Sequence, residues 1–420
     1  MDWKIFELKN GISVVYKTIE ESYSVSMGTF VKAGVRYEMP QYSGISHFVE
    51  HLLFKGTTTR NARELKEAIE GKGGSFNAFT AEEITCYHIK ILKQHLKTGI
   101  EILTDMLVNP LFDPKDIEKE RNVILEEINM YLDIPARHVY ELLDSVMFEN
   151  HPLGTSGLGT PETLQNINRN ELFDYTDNFH KGKNIVASFA GKFDEDELLK
   201  IVESYLGNIP EGKSSSFKPF KNFNSTNKYN IKTKDTEQCH FCIGFYAYPR
   251  EDERKFPLAV ANTILGGNMS SRLFNEVREN RGLVYDIRSL TKSFYDTGAA
   301  IISAGLRPEN LTACLKVIKD QLHLIMDVKV SQEELERAKE FLVSQFLMGL
   351  EDSMEYMLWI GEQKATRNKM MSVKEVEEKI RCVTVEDVQQ VCKEIFSKNL
   401  FFAMIGPENK EEEVSKILEE

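Results

Sequence analysis

Near its midpoint the chain loses its large aliphatic residues. Between Pro210 and Asn230 it holds Pro210, Gly212, Ser214, Ser215, Ser216 and Pro219 among several Asn and Lys. That composition favours turns over packed elements. On either side the pattern is of one kind. Before the break, residues 11–16 and 24–31 are rich in β-branched and aromatic residues and read as strands. A helix over residues 43–54 stops at Gly56, and another over 62–70 stops at Gly71. Strands at 74–80 and 84–91, helices at 94–108 and 115–131, a helix opened by Thr160-Pro161, a strand at 184–189 and a helix at 195–206 complete the half. After the break come a strand near 241–248, a helix at 257–265 and strands near 285–290 and 299–304. Two helix-rich stretches follow, the second carrying the capping-box spacing Ser331-x-x-Glu334, and a last strand lies at 400–405. With 420 residues the chain exceeds one ordinary domain. It therefore predicts an α+β protein of two related domains, 1–212 and 231–420, joined by a linker at 213–230. Each domain is a mostly antiparallel sheet packed with helices.

Charge narrows the class. Lys+Arg is 52 and Asp+Glu 65, so 52 − 65 = −13, which argues against a nucleic-acid or anionic-membrane binder. No apolar run approaches the ~18 residues of a membrane span. The first residues carry Asp2, Lys4 and Glu7 with no apolar signal core. Six sparse cysteines suit reduced thiols, and together these features predict a cytoplasmic protein. Cys239-His-Phe-Cys242 has C-x-x-C spacing but no second pair, and it lies in a strand-like run. It reads as plain strand cysteines.

The chemistry concentrates at Gly44-Ile-Ser-His47-Phe-Val-Glu50-His51-Leu-Leu-Phe54. On a helix, His47 and His51 stack one turn apart and can grip one ion, and Glu50 shares their face. This is H-x-x-E-H, the inverted form of H-E-x-x-H. Imidazoles suit Zn²⁺, and a catalytic zinc wants three protein ligands and an open position. Paired histidines at this spacing also arise by chance as surface or cap residues. Here Phe48, Val49, Leu52, Leu53 and Phe54 predict a largely buried helix, where bare histidines would be costly. A third ligand could come from residues 118–128, where Glu120 and Glu127 stand two turns apart on one helical face. Glu127 as ligand with Glu120 behind it is consistent, and so is a solvated acidic face; spacing leaves both open.

His47-Phe-Val-Glu50-His51 followed by Glu120-Arg-Asn-Val-Ile-Leu-Glu-Glu127 resembles the M16 (pitrilysin/insulinase) metallopeptidases, in the branch of the mitochondrial processing peptidase β-subunit and its bacterial relatives. Leu53-Phe-Lys-Gly-Thr57, Gly74-Ser-Phe-Asn-Ala-Phe-Thr80, His151-Pro-Leu-Gly154 and the stretch from Ser270 to Tyr285 are similar to that family too. The resemblance implies two domains of the LuxS/MPP-like metallohydrolase type. It implies one Zn²⁺ per chain on His47, His51 and Glu127, with Glu50 as general base and Glu120 in support. It also implies that Asn77 and Ala78, on a segment that reads as either an edge or an interior strand, pair with substrate. Arg278 and Tyr285 are implied to contact it, Tyr285 with a hydroxyl able to stabilise an oxyanion.

The implied activity is hydrolysis of extended or unfolded peptides in a closed chamber. Long family members contain two such halves and this chain one, so the expectation is a homodimer in which Arg278 and Tyr285 of one chain complete the zinc site of the other. The alternatives are a dedicated processing peptidase acting with a different partner subunit, and a non-catalytic scaffold. No nucleic-acid or membrane partner is expected.

Overall fold

The computed structural model describes residues 3–221, 227–398 and 400–419; residues 222–226 of the expected linker lie outside the described residues. The first half runs β1 (Lys4–Glu7), β2 (Ser13–Thr18), β3 (Ser24–Val31), α1 (Ile45–Leu53), α2 (Ala62–Glu70), β4 (Ser75–Thr80), β5 (Thr85–Leu92), α3 (Leu96–Val108), α4 (Pro114–Leu132), α5 (Pro135–Met147), α6 (Pro161–Asn166), α7 (Arg169–Phe179), β6 (Ile185–Gly191) and α8 (Glu195–Leu206). The second runs β7 (Tyr229–Thr233), β8 (Cys239–Ala247), α9 (Lys255–Asn262), β9 (Val284–Ser293), β10 (Gly298–Leu306), α10 (Leu311–Asp327), α11 (Gln332–Gly349), α12 (Ser353–Thr366), α13 (Val373–Arg381), α14 (Val385–Phe396), β11 (Leu400–Gly406) and α15 (Glu411–Glu419).

The sheets have the orders β1-β2-β6-β3-β5-β4 and β7-β11-β8-β10-β9. With β1 set aside they are one topology written twice. β2–β6 and β7–β11 are the parallel pairs, and every other neighbour is antiparallel. The predicted α+β repeat is present.

The compact units are not the contiguous halves 1–212 and 231–420. One comprises residues 1–128, 155–218 and 347–372; the other comprises 129–154, 219–346 and 373–420. The physical reason is an exchange of helices. Val139, Leu143, Val146 and Met147 of α5 pack with Cys242, Ile301, Phe401 and Ala403 of the second sheet. Tyr356, Met357 and Ile360 of α12, which holds the same place in the second repeat, pack with Val15, Phe30, Cys86 and Val186 of the first. Close approach is built in at both contacts. A Cβ on Gly361 would lie 2.1 Å from the Phe30 ring, and one on Gly244 would lie 2.5 Å from Met147 Sδ.

The opposite face of the first sheet forms that unit's main core, where Phe48, Val49, Leu52 and Leu53 of α1 are buried. Cys239 and Cys242 lie in β8 as expected, both buried with thiols pushed up by burial. Three positions apart, they point to opposite faces of the strand. No helix among the described residues is long and apolar enough to cross a membrane.

Candidate metal centre

The centre begins with how α1 starts. Gly44 precedes it with φ +92°, a left-handed conformation that suits glycine. A Cβ there would lie 2.6 Å from the Leu158 carbonyl oxygen. The buried Glu38 carboxylate accepts the backbone N–H groups of Gly44 (2.8 Å) and Ser46 (2.9 Å), satisfying donors that a helix start leaves orphaned. Burial pushes the Glu38 carboxyl up to about 7, against the pull of these hydrogen bonds. Tyr175 donates its hydroxyl to Ser46 Oγ at 2.9 Å.

With its apolar face in the core, α1 leaves His47, Glu50 and His51 half-buried on another. The two imidazole rings stand 4.5 Å apart. Their Nε2 atoms point to one carboxylate: Glu127 Oε2 is 3.8 Å from His47 and 3.7 Å from His51. One ligand atom from each of His47, His51 and Glu127 lies within 4.8 Å of the others. Ligands about 2.1 Å from a tetrahedral zinc stand about 3.4 Å from each other, so the spacing nearly matches. Burial, and secondarily the neighbouring His51, lower the His47 pKa to about 3. Its imidazole is thus neutral, with a lone pair to give. Donor set, spacing and the His47 lone pair fit Zn²⁺.

The two-turn spacing of α4 does bring both carboxylates to the histidines. Glu120 is buried, with Oε2 at 3.3 Å from His51 Nδ1 and Oε1 at 2.7 Å from Lys55 Nζ. A carboxylate behind a ligating histidine fixes its tautomer and ring orientation. His47 Nδ1, by contrast, is buried with no hydrogen-bond partner among the described residues.

Glu50 faces the strand next to α1. Its Oε2 accepts a hydrogen bond from Thr80 Oγ1 at the end of β4. Burial raises its carboxyl, while the Thr80 hydroxyl and His51 pull it down. β4 is an edge strand, paired among the described residues with β5 alone. Asn77 is exposed there, and its Oδ1 accepts the backbone N–H of Ala78 at 2.9 Å.

Arg278 and Tyr285 belong to the second unit. Arg278 sits in a π-helical stretch, Phe274–Glu279. Its guanidinium lies 4.7 Å from the Phe274 ring centroid and 5.3 Å from that of Tyr285. Tyr285 is 77% exposed. Three residues at the centre, Lys55, Thr80 and Glu38, have no role assigned from the sequence. Lys55 falls one turn after His51, so its place on that face could have been read. Thr80 and Glu38 meet α1 only through tertiary packing.

Residues 13–161 match the family model described as Insulinase (Peptidase family M16), and residues 166–342 match the one described as Peptidase M16 inactive domain. A Bacillus subtilis protein named uncharacterized zinc protease YmxG is 35% identical over 405 residues, covering 96% of this chain and 98% of its own. A Streptomyces coelicolor protein, uncharacterized zinc protease SCO5738, is 33% identical over 95% of this chain and 88% of its own. Among solved structures, a protease from Helicobacter pylori superposes with a TM-score of 0.89 at 21% identity, over 96% of this chain and 99% of that one. A chain of Complex III2 from Candida albicans gives 0.85 at 20% identity, over 99% of both. These two share the fold.

Proposed function

This chain belongs to the M16 (insulinase) peptidase family, and from that premise we propose that it is a zinc-dependent endopeptidase acting on extended or unfolded peptides. One observation carries the reading: the Nε2 atoms of His47 and His51 converge on the Glu127 carboxylate, with Glu50 on the same helix beside them.

In this reading His47, His51 and Glu127 hold the ion. Zinc so held supplies Lewis acidity toward the scissile carbonyl and acidifies the attacking water. Glu50 accepts the proton of that water and passes it to the leaving amine. Glu120 fixes the His51 ring through Nδ1, and Lys55 balances the charge of Glu120. The free edge of β4 receives substrate as an added strand. There a peptide carbonyl replaces Asn77 Oδ1 on the Ala78 N–H. Tyr285 offers its hydroxyl to the oxyanion, and Arg278 holds the peptide backbone. In our proposal the working form is a homodimer, each chain lending Arg278 and Tyr285 to the centre of its partner.

The test is peptide cleavage by wild type and Glu50→Gln, with zinc measured in both. We expect equal zinc and turnover lower by about 10²–10⁴-fold in the variant. A zinc-free active wild type, or an unimpaired variant, would contradict the reading. For the dimer, co-expressed Glu50→Gln and Tyr285→Phe chains should regain part of the activity that each lacks alone; no regain sinks cross-chain completion.

A further inference from the structure

β4 does two things at once: one rim is its free edge, and its last residue touches the carboxylate of α1. Alternation along a strand puts Phe76, Ala78 and Thr80 on one face and Ser75, Asn77 and Phe79 on the other. Phe76 meets Phe54, just past α1, with ring centroids 5.1 Å apart, and Phe76 and Ala78 pack on the core that contains α1. Phe79 packs on the opposite core, with Phe30 and Met357. Thr80 therefore faces the metal helix, and its Oγ1 donates to Glu50 Oε2.

Three features make this contact more than a local bond. Thr80 is β-branched, so its χ1 is stiff and its hydroxyl direction is set by the strand backbone. Thr80 pairs with Thr85 at the last rung of β4–β5, and Thr85 Oγ1 is itself fixed to the Ala33 carbonyl at 3.0 Å. Finally, the donor reaches one Glu50 oxygen and leaves the other outside this bond.

We propose that Thr80 is a positioning residue that fixes the Glu50 carboxylate from the strand on which the peptide is laid, so that substrate register and base orientation share one rigid element. This rests on the peptidase reading above. A general base acts only within hydrogen-bond reach of the proton it takes, and misplacement by about 1 Å can cost about 10²-fold. The role concerns the direction of the carboxylate, not the holding of the ion.

The experiment compares Thr80→Val, which keeps the shape and removes the donor, with Thr80→Ser, which keeps the donor. Steady-state cleavage of an unstructured peptide, zinc content and thermal midpoint are measured for each. We expect kcat of Thr80→Val to fall on the order of 10- to 100-fold, with KM and zinc content unchanged, and Thr80→Ser to stay within about threefold of wild type. Should Thr80→Val not fold, Thr80→Ala serves in the same comparison. A wild-type kcat in the donor-less variant overturns the proposal. So does equal impairment of Thr80→Ser, which would assign the effect to strand packing, and so does a rise in KM alone. Wild type that cleaves nothing overturns the peptidase reading and this proposal together; wild type that cleaves, with Thr80→Val unimpaired, overturns this proposal alone.

Discussion

α1 and α9 occupy the same place in two copies of one topology, after the central strands β3 and β8. They differ in how polar groups are used. α1 turns His47, Glu50 and His51 toward α4 and β4, where their partners are the shared Glu127 carboxylate, the Glu120 carboxylate on His51 and one hydroxyl. α9, Lys-Phe-Pro-Leu-Ala-Val-Ala-Asn, carries no His, Cys, Asp or Glu. It runs into a π turn, Thr263–Gly267, and binds β9 tightly. Asn262 Nδ2 donates to the Ser289 carbonyl at 3.2 Å, and Ser289 Oγ donates to the Asn262 carbonyl at 3.0 Å. A Cβ on Gly266 would lie 2.9 Å from Ser289 N, so the junction is closed by contact. α11, in the place of α4, gives Glu334 to Arg272 in a bidentate pair, both bonds 2.9 Å. The scaffold supplies a helix beside an edge strand twice; side chains make one copy a candidate metal site and the other a packed joint.

This contrast can be attacked at several points. The largest expected effect is on metal affinity. Glu120→Gln should weaken zinc binding about 10–100-fold in a chelator competition, whereas Glu334→Gln should leave it unchanged. Equal losses would mean that the two carboxylates are not differently used.

Next come the exchanged helices. Gly361→Ala drives a methyl into the Phe30 ring, a rigid neighbour, and should cost about 1–3 kcal/mol in urea unfolding. Gly244→Ala meets the flexible end of Met147 and should cost less. The reverse order would show that α5, not α12, has the tighter seat.

The last contrast concerns helix starts. α1 is capped by buried Glu38, while the residue before α9, Arg254, makes no side-chain cap. The Glu38 pKa is raised from 4.5 to about 7 in the fold, so the folded state holds a proton that the unfolded state has released. Its contribution is complete below pH 4.5 and is lost as pH rises through 7. Wild type should therefore lose on the order of 1 kcal/mol per pH unit in that window relative to Glu38→Gln. Parallel pH curves for the two proteins would refute it.

Several of these elements are legible in the sequence because their cause is local. Residues 24–31 and 195–206 match β3 and α8 to the residue: β-branched and aromatic composition marks the strand, and the helix opens on an acidic first turn. The face shared by Glu120 and Glu127 follows from helical period alone. What was missed has non-local causes. α5 went unread, although Pro135 opens it, because its apolar stripe answers to a sheet formed about 100 residues later. Within the helix-rich stretches, residues 341–359 span two helices, parted where the Asp352 side chain accepts the Met354 N–H and pairs with Lys90. Thr80 stands 30 residues from Glu50, and only β4 beside α1 joins them.

The central claim is that metal chemistry resides in the first unit alone. Zinc stoichiometry by elemental analysis of purified wild type and His51→Ala, with folding checked by circular dichroism, tests it most directly. We predict about one zinc per chain in wild type and almost none in a folded His51→Ala. Two ions per wild-type chain, or one ion surviving in the variant, would contradict it.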